Sequence, residues 1–208
     1  MAKNQCKICR RAGEKLFLKG DKCYSPKCPL LRKPAPPGMT PKKRKGGLSE
    51  YGKELKEAQK LKKMYAISDR QFKKIIKEVL AKKGKEDVSM VLMKKIEKML
   101  SNVVFKAQLA KSRASAKQLI SHGHFLLNGR KVTVPSIEVK VGDEIRLKDR
   151  SKKNSYFQTV IPLIKKENIP SWLSFDKEKI VIKVVQEPNI DEIGIKINVP
   201  LILSFYSR

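Results

Sequence analysis

Acidic residues are scarce in this 208-residue chain: 20 Asp and Glu stand against 48 Lys and Arg, a formal charge of +28. Such an excess repels itself in a compact fold and points to a polyanionic partner. Histidine is scarcer still. His122 and His124 are the only two, and no acid or nucleophile stands beside them at a catalytic spacing. His122, at a helix end, is expected to cap it or to donate to phosphate or backbone, and a metal or general-base role is not expected. Aromatic residues make up 6%, with one Trp, which argues against a fold that reads single strands by base stacking. Trp172 is expected in the core. No apolar run approaches the roughly 20 residues that span a bilayer, and the opening MAKNQCKICRR lacks the apolar core of a secretory signal. With no membrane and no small-molecule substrate indicated, the expectation is a cytoplasmic nucleic-acid binder.

What is present is sufficient for a core, since 40% of residues are apolar. The charge is uneven. Residues 1–100 carry +19, residues 101–169 carry +9, and residues 170–208 are neutral. The last segment is therefore expected to be structural or protein-facing, and the rest to face the polyanion.

All four cysteines fall in the first 28 residues, as Cys6-x2-Cys9 and, after thirteen intervening residues, Cys23-x4-Cys28. Two close pairs around a short knuckle match a tetrahedral thiolate site for structural zinc, each pair supplying adjacent corners. Disulfides, free thiols and an iron–sulfur cluster are the alternatives. Arg10 and Arg11, with Lys7 and Lys22, would offset a tetrathiolate and could reach phosphates. A Pro-rich loop follows, ending in the basic run Lys42, Lys43, Arg44 and Lys45. Lying between ordered segments, this run is read as an RNA contact.

Tyr51, Leu55, Ala58, Leu61 and Tyr65 recur at helical spacing, predicting a helix with Lys53, Lys56, Lys60 and Lys63 on exposed faces. A second helix starts at the capping box Ser68-x-x-Gln71, with Phe72, Ile75, Ile76, Val79 and Leu80 inward. A third covers about 88–100, and Val103 to Leu109 leads on as a further short one.

The centre of the chain is 112–147. Ser112 is a good N-cap. Behind it Arg113, Lys117 and Gln118 form a polar, positive face, while Ala116, Leu119 and Ile120 form the apolar one. Gly123 suits the left-handed stop of a helix. Asn128-Gly129 between Phe125-Leu126-Leu127 and Lys131-Val132 is a strong hairpin signal, and Gly142-Asp143 turns the chain toward Ile145 and Leu147. A short basic helix beside a hairpin is suited to gripping a folded phosphate backbone. Farther on, 156–166 reads as helical, while 172–173, 180–185, 193–197 and 201–206 read as strands.

In this order, CKICRRAGEKLFLKGDKC (6–23), PPG (36–38), LSEYGKELKEAQK (48–60), SRASAKQLISHGHFLLNG (112–129), PSIEVKVGDEI (135–145) and FYSR (205–208) resemble the bacterial small-subunit ribosomal protein S-four family, in its zinc-binding, four-cysteine form. The resemblance covers nearly the whole chain. It implies an α+β fold: a zinc knuckle and helical domain at 1–97, packing with the C-terminal part, an inserted RNA-binding domain of two short helices plus a small antiparallel sheet at 98–165, and a mixed, strand-rich segment at 166–208. It implies a primary 16S ribosomal RNA binder at a 5′-domain junction that nucleates assembly. It also implies proximity to ribosomal protein S-five and to mRNA where it enters the subunit, with an effect on decoding accuracy. Carried over by position, the RNA-facing residues are Arg113, Lys117, Gln118, His122, Gly123, Asn128 and Gly129, joined by Pro37, Gly38, Tyr51 and the basic side of the helix from Lys53 to Lys60. Lys131 on the hairpin belongs with them.

The chain departs from the family at Ser101 (usually Asp), at 105–108 (usually Tyr-Arg-Leu-Gly), at Met39-Thr40 (usually Gln-His) and at Ser204 (usually Glu). An RNA-modifying enzyme that uses the central unit for docking would need a catalytic constellation, and the Arg-Leu-Asp motif of related pseudouridine synthases is absent. A regulatory zinc-finger protein acting on mRNA or transcription is the other rival.

Overall fold

The computed structural model describes residues 5–38, 47–81, 87–165, 168–189, 194 and 197–207. Helices α1 (Gln5–Ala12), α2 (Asp21–Tyr24) and α3 (Pro29–Arg32) are followed by the longer α4 (Glu50–Met64), α5 (Asp69–Ala81) and α6 (Val88–Glu97). Next come α7 (Leu100–Lys106) and α8 (Arg113–Ser121), then strands β1 (Phe125–Leu127), β2 (Arg130–Val132) and β3 (Glu144–Leu147). Short helices α9 (Asp149–Lys152) and α10 (Ser155–Val160) lead to β4 (Leu173–Asp176) and β5 (Val181–Val184), and α11 (Val199–Ser207) is the last element. The chain divides into two units, Met1–Ser89 with Ile195–Arg208, and Met90–Gly194.

In the first unit Ser68 accepts from the first turn of α5 as its capping signal suggests, and Ser49 caps α4 in the same way. Ser49 Oγ accepts from the Gly52 N–H at 3.2 Å, and Ser68 Oγ from the Gln71 N–H at 3.3 Å. Ala58, Leu61 and Tyr65 are buried along α4, and Phe72, Ile75, Ile76 and Val79 along α5. Leu80 is exposed instead, because the helical period carries it off the edge of that stripe. Residues 201–206, read as a strand, are helix α11. A short, continuously apolar run does not reveal its own period. Here Asn198 Oδ1 accepts from the Leu201 N–H at 3.3 Å, and Val199 and Ile202 are buried. The helix packs on α4, where Ser204 Oγ donates to the buried Glu54 carboxylate at 3.1 Å. The reading of 193–197 as a strand falls mostly outside the described residues.

The second unit is built on an antiparallel sheet of order β2-β1-β3-β5-β4. Phe125 faces Val132 and Leu147, and Ile145 faces Ile182. These side chains share one core with Leu100, Val103, Val104, Ala116, Ile120, Phe157 and Trp172. Strands β4 and β5, from the segment read as separate, thus extend the hairpin's own sheet. Asn128 and Gly129 take φ values of 49° and 78°, as a two-residue hairpin turn with the twist of its strands requires. The predicted third helix ends at Glu97; Met99 is extended and caps α7.

Candidate nucleic-acid interface

Helix α8 presents the central basic groups. Ser112 Oγ accepts from the Ser115 N–H at 3.2 Å, and burial of Ala116 and Ile120 fixes which face turns outward. Gln118 is exposed, whereas Arg113 and Lys117 are half-buried. The Arg113 Nε–H donates to Asn102 Oδ1 at 2.8 Å, and its guanidinium carbon lies 4.6 Å from the centre of the Phe105 ring. Asn102 Nδ2 donates to the Glu97 carbonyl at 3.0 Å and also to the Glu97 carboxylate. Both residues are 1% exposed. The carboxylate sets which way the amide points, since only the amide nitrogen can donate to it. The amide oxygen then sets the plane of the guanidinium. Nothing in the sequence singles out Glu97 or Asn102, because each lies in an apolar helix stripe. Burial holds the Lys117 ammonium below the ordinary lysine range; a phosphate brought beside it would favour the charged form.

Beyond the helix, His122 is exposed at the C-cap. Gly123 has φ +72°, and a Cβ there would stand 2.7 Å from Lys131 Cε, so the Lys131 chain crosses the helix stop. Lys131 thereby joins His122 and Gln118 at one end of α8. Asn128 acts inside the fold: its amide nitrogen donates to Asp143 Oδ1 at 2.8 Å and its oxygen accepts from the Glu144 N–H at 2.9 Å, latching the hairpin turn to the turn before β3. Gly129 faces open space. Arg130, Arg146 and Lys183 are exposed on the same sheet and are absent from the sequence-derived set. Strand alternation would have found Arg146, which sits opposite Leu126 as Lys131 does. His124 Nδ1 lies 2.9 Å from Ser151 Oγ, and its ring meets Phe157 edge-on.

In the first unit Arg11, Lys56, Gln59, Lys60 and Lys63, with Ile8, Ala12 and Leu16, line a cleft of about 250 Å³ between α1 and α4. Lys56 and Lys63 are exposed, but Lys60, read as an exposed cation, is 8% exposed and pairs with Glu14 at 2.9 Å and Glu57 at 3.8 Å. The helical period places it beside Lys56; the loop carrying Glu14 then covers it. Lys53 is exposed and 3.8 Å from Glu50. Arg10 donates from Nε to the Ala35 carbonyl at 2.8 Å, tying α1 to the chain just before half-buried Pro37 and exposed Gly38. Tyr51 is exposed, with its ring 5.4 Å from that of Phe205. Lys42, Lys43, Arg44 and Lys45 lie outside the described residues, as do Met39 and Thr40.

Cys6 and Cys9 are one turn apart on α1, Cys23 is on α2, and Cys28 is the N-cap of α3. None of the four is in a disulfide, and all line one small cleft with Lys19 and Lys22. The Lys19 N–H points to Cys23 Sγ at 3.3 Å. Burial pushes the Cys9 thiol up, and the other three sulfurs add to the effect. Among the described residues no group of three or more His, Cys, Asp or Glu side chains is gathered closely enough to hold a metal ion. Nor is any described helix long and apolar enough to cross a membrane.

Residues 1–97 match the family model of the ribosomal protein S4/S9 N-terminal domain, and residues 100–145 match that of the S4 domain. The chain is 40% identical to the small ribosomal subunit protein uS4 of Thermus thermophilus over 203 residues, which is 98% of this chain and 96% of the relative. With the same coverage it is 42% identical to the uS4 of Caldicellulosiruptor bescii and 39% to the uS4A of Bdellovibrio bacteriovorus.

Proposed function

The chain belongs to the ribosomal protein S4 family, and from that membership we propose that it is a structural constituent of the cytoplasmic small ribosomal subunit that binds 16S ribosomal RNA. It carries out no chemical step. The observation that carries this reading is similarity over 98% of the chain, which takes in both units. The finer reading is a primary binder at a helical junction of the 5′ domain, placed early in assembly. Ribosomal protein S-five and mRNA where it enters the subunit are its neighbours, and decoding accuracy depends in part on it.

The mechanism is electrostatic positioning. Lys and Arg side chains displace counterions condensed on RNA, and the fold determines where those side chains stand before RNA arrives. In the second unit Arg113, Lys117, Gln118, His122 and Lys131 are the proposed contacts, with Gly123 and the Asn128-Gly129 turn shaping the surface. In the first unit they are Arg11, Lys53, Lys56 and Tyr51, with Pro37, Gly38 and the run Lys42–Lys45. Arg10 and Lys60 act by fixing α1 and α4 through Ala35 and Glu14.

A structural zinc ion held by Cys6, Cys9, Cys23 and Cys28 is part of the same proposal. The chemistry of the donors supports it, since the four cysteines line one cleft and a backbone N–H is aimed at one of them, and binding the ion would require the sulfurs to draw closer together than they stand. Zinc there would supply the positive charge that turns the thiols into thiolates, leaving no open position for catalysis.

Sedimentation of cell lysate at rising salt tests the assignment. The protein is expected to travel with the small subunit at about one copy and to resist a moderate salt wash. If it stays at the top of the gradient while other ribosomal proteins sediment, the assignment fails and the regulator reading takes its place.

A further inference from the structure

Phe17 and Tyr24 each follow a buried residue: Leu16 is 1% exposed and Cys23 is 7%, whereas Phe17 is 37% and Tyr24 is 72%. Their rings stack with centroids 5.0 Å apart and planes 30° from parallel. The loop between them is pinned by the Cys23 N–H to the Gly20 carbonyl at 2.7 Å and by the Lys19 N–H to Cys23 Sγ at 3.3 Å. Phe17 has φ +50°, a left-handed conformation disfavoured for a bulky residue. A disfavoured backbone thus holds one ring out of the core and against another that is mostly in water.

The surroundings select the occupant. Residues 15–28 contain Lys15, Lys19, Lys22 and Lys27 against a single acid, Asp21. An apolar protein surface would cover the rings but leave the lysines unmatched. An unpaired nucleotide matches both, with a flat base to continue the stack and phosphates on either side for the ammonium groups. Resting on the RNA-binding reading above, we propose that Phe17 and Tyr24 form a platform on which one unpaired base of the RNA stacks. The scarcity of aromatics argues against stacking as the main mode of binding. A single two-ring platform adds one stacked base to an interface made chiefly with phosphates.

The test uses the full-length protein and a 16S 5′-domain transcript, with affinity measured by filter binding across a salt series. Tyr24→Phe keeps the ring and should bind within twofold of wild type. Tyr24→Leu keeps apolar area without a π face and should bind roughly tenfold more weakly. Its salt slope should be unchanged, because no phosphate contact is lost. Ultraviolet irradiation of the wild-type complex should leave a nucleotide on the peptide that contains Tyr24, a readout independent of how the variants fold. If wild type binds the RNA while Tyr24→Leu binds equally well and the peptide carries no nucleotide, the platform is overturned and the RNA-binding role stands. A loss seen only once neighbouring ribosomal proteins are added would assign the rings to a protein partner and overturn it as well. Failure of wild type to bind the transcript would remove the parent reading, and the platform with it.

Discussion

Arg113 is recognisable in the sequence as a cation on a basic helix, but what fixes its direction is not. Its guanidinium is held by Asn102 and the Phe105 ring, and Asn102 is held in turn by Glu97, 11 and 5 positions away along the chain. Removing the amide takes away a group bonded on both sides in a buried place. Asn102→Ala should therefore cost about 2 kcal/mol in urea unfolding and weaken RNA binding through Arg113. A variant with unaltered unfolding and affinity would mean that these bonds neither hold the fold nor aim the side chain. Lys60 teaches the complementary lesson. Its spacing from Lys56 and Lys63 predicts an exposed cation, yet Glu14 covers it, and periodicity within α4 carries no information about a residue 46 positions earlier.

Two elements have behaviour of their own. At the end of α8, His124 sits among Phe157, Ser151, His122 and Lys148, and burial, then the charges of His122 and Lys148, hold its pKa below 6.5. The folded state therefore binds fewer protons at His124 than the unfolded state. This site's contribution to stability is present above the unfolded value and is lost as pH falls through it. Melting temperature should drop from pH 7 toward pH 5, and the drop should be shallower in His124→Gln. A melting temperature that rises on acidification would contradict this. Asp69 and Glu187, lowered by bonds from Lys62 and from Lys98 and Lys94 respectively, act in a separate window, below about pH 4. In the α1–α3 knuckle, Cys9→Ser should remove bound zinc and lower the melting temperature of the N-terminal unit. Zinc retained at about one per chain with native stability would refute the proposed ligand set.

At the scale of the whole molecule, +28 charges make binding strongly salt-dependent. If roughly 8–10 phosphates are neutralised, a log–log plot of affinity against salt should have a slope on the order of −6 to −9. A slope near −2 would mean that most of the basic surface lies off the RNA. Charge, helix caps and the Asn-Gly turn are local or additive properties, so the sequence determined them: the sign of the partner, the starts of α5 and α8, and the hairpin. The tertiary structure alone decided that β4 and β5 join the hairpin's sheet, that 201–206 is a helix packed on α4, and that Asn128 latches a turn. It alone decided which cations Glu14 and Asn102 hold. Each of these depends on groups far apart in the chain meeting in space, and no pattern of nearest neighbours contains that meeting.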